Sequence, residues 1–380
     1  MDLTPHFQLR KDVAQAKRVV IKLGTRVLVQ ANGRPNRKRM GAIAHQAALL
    51  RRAGRDVIIV SSGAVGVGID ALGMTKRPTD LADLQMAAAV GQSRLMARYD
   101  SLFQKEKCPI GQVLLTHSDL KHRKRHLNAR NTMLNLLRHG VIPIVNENDT
   151  VSVDEIKVGD NDVMAALVSI LVDADALLLM TSADGLREPN GAGKTKRVPY
   201  IPKLNKTILG LTHGKGSDLS TGGMASKLEA ANMFCRTGGI SLILDGRKPS
   251  QIEAALAGGD NGTLMAPDSS ARTTRRKNWI TFFNRSTGSI HIDSGAVKAL
   301  KANGKSLLPI GVKRVDGKFD IGSMVEIVAP NKAVIARGLT NYSSQEIDQI
   351  KGCQSSEIAK QLGNRNSDVI IHRDNLVLED

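Results

Sequence analysis

Up to about residue 265 the chain repeats one hydropathy pattern: a short, continuous apolar run, a polar loop that usually holds glycine, then a helical stretch. Val19-Val20-Ile21 runs into Lys22-Leu23-Gly24-Thr25, and Val57–Val60 into Ser61-Ser62-Gly63-Ala64. Val141–Val145 leads to Asn146-Glu147-Asn148-Asp149, Ala176–Met180 to Thr181-Ser182, and Ile240–Leu244 to Asp245-Gly246. Runs that are apolar at every position, rather than at alternate ones, predict strands covered on both faces, as in a parallel sheet. Between them, Ile43, Ala47 and Leu50 recur at helical spacing, and helices are predicted over Leu84–Phe103, Leu127–Leu137, Val163–Val172 and Met224–Cys235. Strands alternating with helices give an α/β domain with right-handed crossovers. Ligands of such sheets bind beyond the carboxyl ends of the strands. Lys22, Ser62, Asn146–Asp149 and Thr181–Ser182, far apart in sequence, are therefore expected to converge on one rim.

The pattern stops near Pro267. Residues 268–276 have no apolar periodicity and read as an exposed linker between a first domain, 1–267, and a second, 277–380. In the second, short strands are predicted at Trp279–Phe283, Ser289–Ile292, Met324–Val328, Val334–Leu339 and Val369–Ile371, with helices at Ser294–Ala302 and Ser344–Ile350. This predicts a small, mostly β, barrel-like domain.

Apolar residues make up 41% and charged residues 24% of the chain, which excludes disorder. The apolar stretches are cut by charge well short of a bilayer span, and the N-terminal MDLTPHFQLRKD has no export-type apolar segment. Cys108, Cys235 and Cys353 form no CxxC pair, so neither a disulfide scaffold nor a zinc ribbon is expected, and a reducing cytoplasm fits. The formal net charge is +18, which suits an anionic partner. The surplus is spread along the chain. Its densest run, His122-Arg123-Lys124-Arg125-His126, reads as a solvated helix face or loop, and 3% aromatics leave few platforms for stacking bases.

Several segments could carry chemistry. Gly193-Lys194-Thr195 mimics the end of a nucleotide-binding P-loop, but Glu188 stands where the motif needs glycine and no apolar strand leads in. Ser61–Gly68 places glycines after a buried strand, which serves either close anion approach or tight helix packing. In Thr221-Gly222-Gly223-Met224-Ala225-Ser226-Lys227 two glycines open a helix with a lysine in its first turns, either a phosphate cradle or an ordinary capped helix. Lys22, at the end of the first strand, is either a phosphate partner or a rim lysine reaching to solvent. The clusters Asn146–Asp149 and Asp160-Asn161-Asp162 could hold a metal, an ammonium group or nearby lysines, and one of their residues could cap the helix from Val163.

Together these pieces resemble the glutamate 5-kinases of the amino-acid kinase family. The matching segments are VVIKLGT (19–25), IVSSGAVGVG (59–68), LLTHSD (114–119), LNARNT (127–132), PIVNENDTV (143–151), EIKVGDND (155–162) and TGGMASKLEAA (221–231). GKSLLPIGV (304–312), ARGLTNYSS (336–344) and VIIHRDNLVL (369–378) resemble the PUA domain that bacterial forms carry. The resemblance implies an αβα sandwich with a mainly parallel sheet plus a PUA domain. It also implies transfer of the γ-phosphoryl of ATP to the side-chain carboxylate of L-glutamate, opening proline synthesis, with Mg²⁺ carried on the phosphates rather than by direct protein ligands. By the same resemblance Lys22 and Lys227 face the phosphoryl group and Asp162 holds both lysines. Ser62, Gly63, Asp149, Asp160 and Asn161 receive glutamate. Thr181, Ser182 and the segment Thr221-Gly222-Gly223-Met224-Ala225-Ser226 lie with Lys22 and Lys227 on the nucleotide side. The family often has an acidic residue where this chain has Ser182, with Asp184 two positions on. A homo-oligomer (dimer or tetramer) is implied, and RNA contact through the PUA domain is a further expectation.

Overall fold

The computed structural model describes residues 4–30, 35–151, 160–191, 194–212, 223–267, 286–363 and 367–379. The chain divides into two compact units, Met1–Arg272 and Thr273–Asp380. The proposed linker and the strand predicted at Trp279–Phe283 lie outside the described residues.

In chain order the first unit contains α1 (Thr4–Ala14), β1 (Arg18–Leu23), α2 (Thr25–Leu28), α3 (Arg37–Arg52), β2 (Asp56–Val60), α4 (Ala64–Ala71) and α5 (Leu81–Lys105). Next come β3 (Ile110–Leu115), α6 (His117–Lys121), α7 (Arg123–Arg138), β4 (Ile142–Glu147), α8 (Asp160–Leu171) and β5 (Ala176–Thr181). The unit continues with β6 (Arg187–Pro189), β7 (Thr195–Arg197), β8 (Tyr200–Ile201), α9 (Lys206–Gly210), α10 (Met224–Cys235), β9 (Ile240–Asp245), α11 (Ser250–Leu256) and β10 (Thr263–Met265).

Eight strands form one sheet in the order β3-β4-β2-β1-β5-β9-β10-β8. Every pairing is parallel except that of β9 with β10. The central strands are buried along nearly their whole length, which is why their sequences are unbroken apolar runs. β3 is an edge strand with exposed and buried positions mixed, and its Gly111-Gln112 interruption hid it from the hydropathy pattern. β4 extends through Asn146 and Glu147, both buried, so the polar loop predicted from Asn146 begins at Asn148. Lys194 and Thr195 belong to the small β6–β7 hairpin, not to a phosphate loop.

Two glycines set how α4 meets α5. A Cβ on Gly68 would lie 1.7 Å from the Ala87 carbonyl oxygen, and one on Gly91 would lie 1.8 Å from that of Ala64. Any side chain there would force the helices apart. The unpredicted α1 is fastened by Arg10, only 2% exposed, whose guanidinium donates to the carbonyls of Gly259 and Asn261 at 2.9 and 2.6 Å.

In the second unit, β11 (Gly288–Ile292), α12 (Ser294–Asn303), β12 (Val312–Asp316), β13 (Met324–Val328), β14 (Val334–Leu339), α13 (Ser344–Ile350), α14 (Ile358–Leu362) and β15 (Leu376–Leu378) build a small domain. Its sheet runs β12-β11-β13-β14-β15, with β11–β13 parallel and the other pairs antiparallel. The strand predicted at Val369–Ile371 is instead a single bridge between Ile371 and Leu307, and β15 takes the sheet position. Ile370 and Ile371 are apolar because they are buried in the domain core, which needs no ladder.

Candidate functional site

Lys22 is the fifth residue of β1, paired with Val60 on one side and Leu179 on the other. A residue flanked by strands on both sides has only the two faces and the strand end to reach toward. Its ammonium lies 2.7 Å from Oδ1 of Asp162, the third residue of α8. Lys227, the fourth residue of α10, donates to the other oxygen, Oδ2, at 3.0 Å. One carboxylate thus holds two lysines brought from a strand and a helix. All three are buried, with exposures of 1% for Asp162, 6% for Lys22 and 7% for Lys227.

The charges set the protonation states. Burial pushes the Asp162 carboxyl upward, but the two ammonium groups outweigh it and hold it below the usual carboxylate value. Burial lowers the Lys22 ammonium. Asp162 opposes that shift, and the charge of Lys227 adds to it. Among the described residues two cations share one anion, which leaves a surplus positive charge among buried groups. The start of α10 reinforces it. Gly223 is its N-cap with no side chain closing the helix end, so the helix dipole adds positive potential. Ser226, in the same turn, donates to the Gly223 carbonyl at 2.9 Å and stands 3.4 Å from Asp162 Oδ2. At Gly24 a Cβ would lie 3.7 Å from the Lys22 ammonium, so glycine keeps the backbone beside that charge bare.

Asn161, next to Asp162, faces the neighbouring strand end. Its Nδ2 donates to Ser62 Oγ at 2.8 Å, while its Oδ1 is buried with no hydrogen-bond partner among the described residues. Ser62 follows β2, and Gly63 turns the chain into α4 with φ +97°, a conformation that disfavours other residues. The packing reading of the glycine-rich segment holds at Gly68, and Gly63 shapes the turn at the rim. Asn146, at the end of β4, donates to Gln92 Oε1 at 2.7 Å, and its Oδ1 is also buried without a partner among the described residues.

The sequence-derived set therefore separates. Lys22, Asp162, Lys227 and Ser226 meet, and Ser62 meets Asn161. Asp149 is half-buried just past β4, and Thr181 and Ser182 are half-buried at the end of β5, on the same carboxyl rim. The Thr181 carbonyl accepts from Gly246 N–H at 2.7 Å. Met224 and Ala225 occupy the first turn of α10. Asp160 opens α8, while its side chain, Thr221 and Gly222 lie outside the described residues. The sequence reading overlooked Gln92, hidden in an Ala-rich helical pattern, and Ser61, whose hydroxyl pairs with the buried Tyr99 hydroxyl at 2.9 Å. Of the basic run, His126 is buried with Nδ1 3.1 Å from the Leu120 carbonyl, and Arg125 is exposed and pairs with Asp119.

The model of the amino acid kinase family matches residues 17–244, a span that contains every residue of this site, and the PUA domain model matches residues 288–362. The chain is 46% identical over 368 residues to the glutamate 5-kinase of Geobacter sulfurreducens, covering 96% of this chain and 98% of that one. It is 45% identical over 373 residues to the glutamate 5-kinase of Moorella thermoacetica, covering 98% of each. The chain belongs to the glutamate 5-kinases of the amino acid kinase family. Among solved structures, a carbamate kinase from Giardia lamblia bound to AMP-PNP aligns over 67% of this glutamate 5-kinase chain and 100% of its own, at 18% identity and TM-score 0.49. No helix among the described residues of this glutamate 5-kinase is long and apolar enough to cross a membrane.

An anionic phosphate chain fits the surplus positive charge of the lysine pair. No group of three or more His, Cys, Asp or Glu side chains suited to a metal ion occurs among the described residues.

Proposed function

We propose that the cluster of Lys22, Asp162 and Lys227 is where this member of the glutamate 5-kinases transfers the γ-phosphoryl of ATP to the side-chain carboxylate of L-glutamate. The observation that carries the reading is one buried carboxylate pairing two buried ammonium groups at the carboxyl rim. The acceptor carboxyl, with a pKa of about 4.3, is already ionised at neutral pH and needs no general base. The task left to the protein is to bring two anions together and to stabilise charge on the phosphoryl group in flight. Lys22 and Lys227 supply that charge, and Asp162 acts as a positioning residue that keeps both ammonium groups in place. Mg²⁺, arriving on the phosphates, would neutralise part of their charge.

On the acceptor side, Ser62 and Asn161 would bind glutamate's carboxylates, and Asp149 its ammonium group. The Oδ1 atoms of Asn161 and Asn146, which have no partner among the described residues, call for donors that an amino acid carries. Thr181, Ser182 and the first turn of α10 would lie along the nucleotide. The chain would act in the cytoplasm. The test is to incubate the full chain with ATP, Mg²⁺ and a panel of acidic amino acids. ADP release triggered by L-glutamate and not by aspartate is expected, and release indifferent to the amino acid would overturn the assignment.

A further inference from the structure

A cavity of 350 Å³ lies at the other end of α4 from Ser62, lined by Gln30, Asn36, Arg37, Lys38, Asp70 and Arg98. Among the described residues, three cations and one carboxylate share it. Asp70 is the seventh residue of the eight-residue α4, so the helix rise puts it about 10 Å from the turn at Gly63. Arg98 projects from α5, and its Nη1 is buried with no hydrogen-bond partner among the described residues. Burial lowers the Arg98 guanidinium's pKa, and the positive charges of Arg37 and Arg94 add to that shift. Asp70 opposes them only in part.

The third source of positive potential is α3 itself. Its first two residues are Arg37 and Lys38, and its first turn holds no acidic residue. Helix starts are ordinarily stabilised by acidic side chains because the dipole is positive there. Here two cations stand at that positive end, opposite the half-buried Arg98 guanidinium. Left alone, such an arrangement repels itself. A bound anion would relieve all three terms at once.

The geometry points to a second anion site in this cavity, separate from the lysine pair, that takes a small organic phosphate monoester. Guanidinium groups match phosphate oxygens in a bidentate fork, and a phosphate group alone would leave much of the cavity unfilled. The experiment is calorimetric titration of the full chain with glycerol 3-phosphate and, separately, inorganic phosphate, against sodium chloride of equal ionic strength. Saturating AMP-PNP and Mg²⁺ are present so that the lysine pair is occupied. Glycerol 3-phosphate is expected to bind, and more tightly than inorganic phosphate. Arg98→Gln should weaken it about tenfold or more, the size of one charge-assisted hydrogen bond, with Arg98→Lys in between. Lys38→Gln, at an exposed position, should weaken it in a chain whose folding is not at issue. Equal binding by wild type, Arg98→Gln and Lys38→Gln would overturn the proposal, as would equal or tighter binding of inorganic phosphate. Glutamate-dependent ADP release by Arg98→Gln in phosphate-free buffer should match wild type, which separates this site from the transfer reaction.

Discussion

Replacing Asp162 with asparagine keeps the shape of the side chain and removes the negative charge that pairs the Lys22 and Lys227 ammonium groups. Removing one partner of a buried ion pair costs about 3–5 kcal/mol, because the other charge stays buried and uncompensated. Here two ammonium groups lose the carboxylate that they share. Against a total stability of about 5–15 kcal/mol that is a large fraction, and it corresponds to a fall in Tm of about 6–20 °C. The pH dependence gives a sharper signature. In the wild type the Asp162 carboxyl is held below its unfolded value of 3.8, so its contribution is present above that pH and is lost as pH falls through the folded pKa. The variant lacks this acid-side loss. The Lys22 ammonium lies below 10.5 in the folded protein, and without Asp162 it falls further. A base with a lowered folded pKa destabilises the fold while protonated, and it stops doing so as pH climbs toward its unfolded pKa. The gap between Asp162→Asn and wild type should therefore be widest near neutrality and narrow toward pH 10. Denaturant unfolding at a series of pH values, read by circular dichroism, measures it, and AMP-PNP should narrow the gap as well by supplying negative charge. A variant as stable as wild type at pH 7, with no pH-dependent gap, would refute the reasoning about the shared carboxylate.

Three further outcomes are expected. Lys22→Met and Lys227→Met should each lower kcat about a hundredfold to a thousandfold while circular dichroism shows the fold intact; wild-type turnover in either would remove that lysine from the transfer step. Asp149→Ala should raise the KM for glutamate about tenfold to a hundredfold with a smaller effect on the KM for ATP, as loss of one charge-assisted contact predicts, and an unchanged glutamate KM would put the ammonium elsewhere. Gly91→Ala drives a methyl group against the Ala64 carbonyl and should destabilise the first unit by about 1–3 kcal/mol in denaturant unfolding, whereas full stability would mean that α4 and α5 can part freely.

Much of the first unit was legible because its central strands are buried on both faces and so cannot hide in an alternating pattern. Val19–Ile21, Val57–Val60 and Ala176–Met180 announce themselves by continuous apolar residues, and parallel pairing carries their polar followers to one rim. What escaped was held by other forces. β3 is an edge strand with mixed exposure, and α1 is fastened by a buried arginine rather than by an apolar stripe, a role that composition and spacing do not reveal. In the second unit, Ile370 and Ile371 looked like a strand because apolar runs report burial, not backbone pairing. At the site, the lysines at 22 and 227 stood out by their positions at a strand end and a helix start. Their common partner at 162 came from family likeness, since nothing in the spacing 22, 162, 227 says that one carboxylate touches both. Gln92 and Ser61 act through contacts with Asn146 and Tyr99 that only the packed structure brings together.

Asn161 and Asp162 are adjacent at the start of α8, yet one binds Ser62 and the other the two lysines. Each residue of a helix is turned about 100° from the last, so a deletion or insertion of a single amino acid inside α8 just after position 162 would rotate both side chains away from their partners together. Length changes in the preceding segment should be tolerated only where the added or lost residues are absorbed before the helix starts, and a library of single-codon indels through residues 150–170 would show function collapsing abruptly at that boundary.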